Sequence, residues 1–203
     1  MGETGPRLTA GFFARSVHDV ARDLVGCALL FDSVGGVIVE TESYHVDDPA
    51  CHAASGLTER NAPIYGRPGY AYVYRSYGLH SLLNAVAEPE GDAAAVLIRA
   101  LEPRWGLDEM RRRRSGRPER ELCSGPGKLS EAIGVELSET ATSLLSAPFT
   151  LAGPVPGWEM TDIVTGPRVG ITKAAELPWR FCAADNRFVS RPAPSSRPLA
   201  AAA

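Results

Sequence analysis

Apolar residues recur at Val17, Val20, Ala21, Leu24 and Val25, the three-and-four spacing of a helix face, with Ser16 ahead as a cap and Gly26 as a stop. Beyond that glycine the period shortens. Residues 27–31 read as a strand, 32–36 as a turn and 37–44 as a second strand. The stretch 45–68, rich in Asp, Gly and Pro, predicts a loop. Residues 70–74 and 79–86 predict a hairpin that turns through Ser76, Tyr77 and Gly78. A further strand is expected at 94–101, a short helix at 105–114 and a helical turn or two at 127–134. Residues 140–165 carry no clear period, and 168–171 and 181–189 are expected to return to the sheet. Several strands and few helices, without alternation, predict an α+β fold: a single domain with a curved, mostly antiparallel sheet and a few surrounding helices.

Composition narrows the class. Over 203 residues, 44% hydrophobic and 22% charged content excludes wholesale disorder. No apolar run approaches the roughly 18 residues of a membrane span, and the opening MGETGPRLTAGFF lacks the basic-then-apolar layout of a secretory leader. Cys27, Cys51, Cys123 and Cys182 are scattered without a C-x-x-C pair, which points to a reducing cytoplasm rather than a zinc ribbon or disulfide scaffold. A formal net charge of −3 argues, by itself, mildly against a nucleic-acid partner. The charge is uneven, however: residues 1–60 carry a net −5 and residues 61–130 a net +3. Much of that excess lies in Arg111, Arg112, Arg113, Arg114, Arg117 and Arg120, a run that fits either a solvated helix end or a phosphate-contacting patch.

Several groups could carry chemistry. Strict alternation in VIVETESY puts Ile38, Glu40, Glu42 and Tyr44 on one strand face and Val37, Val39 and Thr41 on the other. Two neighbouring carboxylates suit a general base, and equally an exposed edge with one glutamate paired to arginine. His52, in the following loop with Asp47 and Asp48, has no second histidine at ligand spacing, so no metal site is expected. Tyr70, Tyr72 and Tyr74 alternate as core tyrosines would, whereas Tyr77 at the hairpin tip is poorly placed for a core and well placed to protrude. Arg99, inside AVLIRAL, needs a carboxylate or phosphate partner. SGPGKL lacks the first glycine and the Ser/Thr of a nucleotide-triphosphate loop, leaving at most a single-phosphate turn.

In order along the chain, IVETESY (38–44), DPACHA (48–53), RN (60–61), PGYAYVYRSYGLHSLLN (68–84), AVLIRALEP (95–103), ELCSGPGKL (121–129) and, more weakly, RVG (168–170) resemble the alkyladenine (3-methyladenine) DNA glycosylase family over roughly residues 8–190. The resemblance implies a monofunctional enzyme that flips alkylated or deaminated purines from duplex DNA and hydrolyses the N-glycosidic bond, starting base excision repair. The purines are those of the 3-methyladenine, 7-methylguanine, hypoxanthine and ethenoadenine class. It implies Glu42 as the group that activates water and Arg99 as a partner holding that water. Tyr44, His52, Tyr74 and Asn84 would form the base pocket, and Tyr77 would intercalate. Glu40 aligns with a first glutamate that is not catalytic. No metal or organic cofactor is implied. The implied partner is damaged double-stranded DNA, with no membrane, acted on by a cytoplasmic monomer that is nucleoid-associated if bacterial. With Lys128 and Lys173 the only lysines, simple hydrolysis is expected over an amine-dependent lyase step. His80 stands where the vertebrate branch has a tyrosine, Ile64 replaces a methionine common in the family near the intercalating loop, and the interval from Tyr44 to His52 is about a residue shorter than in that branch. A glycosylase-like domain is thus expected over 8–190, and the low-complexity RPAPSSRPLAAAA at 191–203 is expected to be a disordered tail. The alternatives are a catalytically silent nucleic-acid-binding module and a formyl- or acyl-handling enzyme on a related sheet.

Overall fold

Two residues, Asp32 and Ser33, with φ of 46° and 68°, turn the chain between β1 (Cys27–Phe31) and β2 (Val34–His45). This mirror-image turn matches the twist of a hairpin. The expected turn over 32–36 is therefore shorter. Gly35 and Gly36 lie inside β2, where a Cβ would sit 2.0 Å from the Leu29 carbonyl oxygen and 2.1 Å from that of Glu102. These glycines permit close backbone approach rather than reversal. The computed structural model describes residues 4–193, so the tail expected at 191–203 lies, from residue 194 on, outside the described residues.

The other strands are β3 (Ala71–Ser76), β4 (His80–Val86), β5 (Ala94–Trp105), β6 (Phe149–Pro154), β7 (Ile163–Gly166) and β8 (Arg180–Ala183). They form one antiparallel sheet in the order β3-β4-β5-β2-β1-β6, with β8 paired to β2 and to β7. The fold is thus α+β, as expected. The early half of β2 lies between β1 and β5, and its later half between β8 and β5. Glu40 and Glu42 belong to that later half and are fully buried, so the exposed-edge reading of the pair does not hold.

Strict alternation fails within β2. Its register against β5 shifts between Ile38 and Thr41, and Ile38 and Val39, adjacent in sequence, both pack into the main core. A bulge of this kind adds a residue and resets the phase of the strand. Glu40 and Glu42 remain two apart, while Ile38 joins the core with Val39.

Described helices are α1 (Ala10–Phe13), α2 (Val17–Asp23), α3 (Leu107–Arg113), α4 (Glu119–Leu122) and α5 (Pro126–Ile133). Val17, Val20 and Ala21 of α2 are fully buried against the sheet, as the apolar spacing predicts. Each such valine contributes roughly 1.5–3 kcal/mol. Ser16 occupies the cap position without a side-chain capping bond; instead the Val17 N–H donates to Glu88 Oε1 at 3.0 Å. Helix α5 packs Leu129, Ala132 and Ile133 inward and ends at Gly134, whose φ of 86° is left-handed. The aperiodic 140–165 contains β6 and the start of β7, whereas 168–171 is irregular and only Arg180–Ala183 of 181–189 and its approach is strand. Four-residue strands are too short for alternation to register.

Candidate active site

The later half of β2, the loop that follows it, the neighbouring β5 and the β3–β4 hairpin bring the expected site residues around one cleft of about 440 Å³. That volume lies within the range of small-ligand pockets, roughly 300–1,000 Å³. Tyr44, His52, Tyr74, Asn84 and Arg99 line it, and Tyr77 stands at its rim. Neither lysine lines it.

Glu42 lies beneath the lining. Its Oε1 accepts the Val169 N–H at 2.7 Å, and its Oε2 accepts the Tyr44 hydroxyl at 2.8 Å and faces Arg99 Nη1 at 3.2 Å. A carboxylate has about four lone-pair positions, so these two hydrogen bonds leave room for a water beside the guanidinium. Burial, the adjacent Glu42 charge and the hydrogen bond to it push the Tyr44 hydroxyl far above its ordinary range, so Tyr44 remains a donor. Burial alone would lower Arg99, but Glu42 and Glu40 outweigh it and hold the guanidinium charged.

Across the cleft the rings order one another. The Tyr72 and Tyr74 rings stack 5.5 Å apart at 27°, and His52 meets Tyr74 edge-on at 4.5 Å. His52 Nδ1 and the Tyr72 hydroxyl share a hydrogen bond of 2.9 Å. Partial burial, and then the Arg60 charge, push His52 below its usual value, favouring neutral imidazole; one side of it stays open to solvent. Burial raises both tyrosines to about 12. Asn84 is immobilised, its Nδ2 donating to the Tyr72 and Leu82 carbonyls at 3.0 and 3.3 Å. Tyr77 is 91% exposed with a φ of 50°, and Leu79 beside it is 76% exposed. Large apolar groups in water at a strained tip have no packing role within the chain. The hairpin leans on α5: a Cβ at Gly127 would meet His80 Cβ and Cγ at 2.9 Å.

Sequence reasoning missed the second tier. Arg168 and Asp48 form a fully buried ion pair that ties the irregular segment after β7 to the His52 loop. Arg168 also donates to the Ser43 carbonyl at 3.0 Å and lies against the Tyr44 and Trp179 rings at 4.5 and 5.0 Å. Its neighbour Val169 supplies the N–H on Glu42. The weak RVG match and the Asp of DPACHA were the available signals for this pair; for Arg180, Ser190 and Tyr72 as an orienter of His52 there was none.

The arginine run is neutralised within the chain. Arg111 pairs with Asp108 and Glu119, Arg112 and Arg113 with Glu109, Arg114 with Glu131, and Arg117 with Glu121. That favours the solvated-helix reading for these five. Arg60, Arg75, Arg120 and Lys128 have no carboxylate partner among the described residues; the first two line the cleft, and the others flank a smaller crevice beside Ser190. All four cysteines are buried free thiols; no cluster of metal-binding side chains occurs among the described residues, nor any helix long and apolar enough to cross a membrane.

A family model described as methylpurine-DNA glycosylase matches residues 11–187. Among curated relatives, a "Putative 3-methyladenine DNA glycosylase" from Rhodopseudomonas palustris is 55% identical over 190 residues, spanning 94% of this chain and 91% of that protein. Proteins of the same name from Nitrobacter winogradskyi and Nitrosospira multiformis are each 52% identical, over 93% and 89% of this chain and 89% and 92% of their own lengths.

Proposed function

The chain belongs to the methylpurine-DNA glycosylase family, a family of DNA N-glycosylases acting on damaged DNA, and from that premise we propose that it excises 3-methyladenine and related alkylated or deaminated purines by Glu42-directed hydrolysis. The observation that carries this reading is the buried Glu42 carboxylate, held by two hydrogen bonds and an arginine ion pair beneath a cleft of aromatic rings. The scissile bond is hidden in a duplex, so the nucleotide must be extruded, and a damaged base unstacks at lower cost. Tyr77 fills the vacated stack. Tyr44, His52 and Tyr74 receive the base, their π-faces favouring electron-poor and cationic rings. Water enters with the nucleotide between Arg99 and Val169, takes a free lone pair of Glu42 and loses its proton there as it adds to the sugar carbon, while the N-glycosidic bond breaks and its electron pair leaves with the base. The Glu42 charge also stabilises the oxocarbenium-like sugar. Asn84, unable to swing away, crowds a 2-amino substituent and so disfavours normal guanine.

Duplexes carrying one 3-methyladenine, hypoxanthine or ethenoadenine are the direct test. Incubation followed by hot alkali is expected to cut at the lesion, with free base recovered and no cut before alkali. Intact strands for every lesion would favour the silent DNA-binding module instead, and cutting before alkali would indicate a lyase step.

Backbone contact is assigned to Arg60, Arg75, Arg120 and Lys128, cations that line the cleft or the smaller crevice and have no carboxylate partner among the described residues. Replacing Arg75 or Lys128 by alanine is expected to weaken binding to damaged and undamaged duplex alike, and to reduce the slope of log affinity against log salt by about 0.9 for each phosphate no longer neutralised. Alanine at Arg112, which Glu109 already neutralises at 2.6 Å, should leave that slope unchanged. Fluorescence anisotropy across a salt series distinguishes the two groups.

A further inference from the structure

Glu40 has no part in the reaction as proposed, yet it is the most heavily bonded carboxylate in the site. It is fully buried, and its Oε1 accepts Arg99 Nε at 2.9 Å, Arg180 Nε at 2.7 Å and the Ser190 hydroxyl at 2.9 Å. Its Oε2 accepts the Ser190 N–H at 2.6 Å. The Ser190 hydroxyl in turn accepts Arg99 Nη2 at 3.2 Å, so one side chain touches both members of the Glu40–Arg99 pair. Arg180, which stands opposite Glu42 in the β2–β8 register, also donates to the Arg191 carbonyl at 2.8 Å and the Pro192 carbonyl at 3.4 Å. The segment that follows β8 is thereby strapped across the back of the site.

The charges explain the arrangement. Glu40 and Glu42 both face Arg99, and one guanidinium cannot fully neutralise two buried carboxylates. Arg180 supplies the second positive charge, and it does so at Glu40 alone. With Glu40 satisfied by Arg180 and Ser190, Arg99 is free to keep Nη1 on Glu42. Without them Glu40 would draw Arg99 towards itself, and Glu42 would lose the positive charge that faces its Oε2.

We propose that Glu40, Arg180 and Ser190 form a positioning unit that fixes Arg99 against Glu42, so that the segment after β8 sets the rate of the chemical step without touching the base. This inference rests on the proposed role of Glu42. The variants Ser190→Ala, Ser190→Thr and Arg180→Gln, in the full chain, test it by single-turnover base release from a hypoxanthine duplex at increasing enzyme concentration. The curve separates the maximal rate from the half-saturating concentration. Ser190→Ala is expected to lower the maximal rate about fivefold and Arg180→Gln about thirtyfold or more, with half-saturation moving less than about twofold. Ser190→Thr, which keeps the hydroxyl, should regain most of the loss. A purely structural role would not give a hydroxyl-dependent change confined to the maximal rate. If Arg180→Gln does not fold, the Ser190 pair decides alone. Full-speed release by folded Ser190→Ala, or a Ser190→Thr rate as low as that of Ser190→Ala, overturns the inference while leaving the glycosylase reading intact. No release by the unsubstituted chain overturns both.

Discussion

Glu42→Gln is expected to bind a lesion-containing duplex nearly as well as the unsubstituted chain and to release its base at least about a thousandfold more slowly, since general-base assistance alone accounts for about 10²–10⁴-fold and charge stabilisation of the sugar adds to it. The substitution hardly changes shape, but it removes the charge and one acceptor. Val169 donates to one oxygen, and Tyr44 and Arg99 face the other, so an amide turned either way sets its NH₂ against a donor. Turning it towards Val169 offends one donor rather than two. The cost is that of one spoiled buried hydrogen bond, about 1–3 kcal/mol, so the variant should fold with a lowered melting temperature. Two measurements check this: anisotropy for affinity, and alkali-revealed cleavage for excision. Excision within tenfold of normal would remove Glu42 from its role. A parallel collapse in affinity would instead mean that the carboxylate orders the cleft.

How far this site could be read from sequence depended on the distance between partners. Glu42, Tyr44 and Glu40 share one strand, and Tyr72, Tyr74, Tyr77 and Asn84 share one hairpin, so local patterning and an ordered set of motifs bring them forward together. The interior strands β1 and β5 showed for the same reason, although β5 runs on to Trp105 through residues that read as loop and helix. Partners contributed by irregular backbone were silent. Arg168 reaches Asp48 across 120 residues, and Ser190 reaches Glu40 across 150. Neither sits in a segment whose period reveals a direction. The bulge in β2 was also invisible, because an added residue leaves the spacing of Glu40 and Glu42 unchanged and is betrayed only by where Ile38 packs.

Charge gave a second lesson. The run from Arg111 to Arg120 reads from sequence as either a solvated helix end or a phosphate patch, and the carboxylates that answer its first five arginines lie three to seventeen residues away, on α3, α4 and α5. Counting cations in a window cannot separate a neutralised helix from an open one. What matters for DNA is the residue left without a carboxylate, and Arg60, Arg75, Arg120 and Lys128 are spread over four different segments. A chain of net charge −3 can therefore hold a short stretch of phosphate backbone, with a binding strength that falls steeply as salt rises.

Asp48→Ala is expected to be among the most destabilising single substitutions in the chain. Both side chains of the Asp48–Arg168 pair are fully buried, and Asp48 is the only carboxylate on Arg168 among the described residues. Removing it leaves a guanidinium in the interior with only the Ser43 and Ala174 carbonyls and two aromatic faces to solvate it. Breaking a buried pair in this way costs about 3–5 kcal/mol, which for a domain of this size lowers the melting temperature by about 6–20 °C. Total stability of about 5–15 kcal/mol leaves room for the variant to fold in the cold. Even there it should excise slowly, because Arg168 anchors the turn from which Val169 donates to Glu42. Arg168→Met strands the opposite charge and should cost a similar amount. The double variant Asp48→Ala/Arg168→Met decides what the pair is for: with both charges gone, the loss in stability should fall below the sum of the single losses by about 2 kcal/mol or more. Excision should nevertheless stay low in the double variant, since a restored melting temperature does not restore the anchor. Calorimetry and base release on the same four proteins separate the two effects. Strict additivity in stability would mean that Asp48 and Arg168 are held by their other neighbours and not by each other.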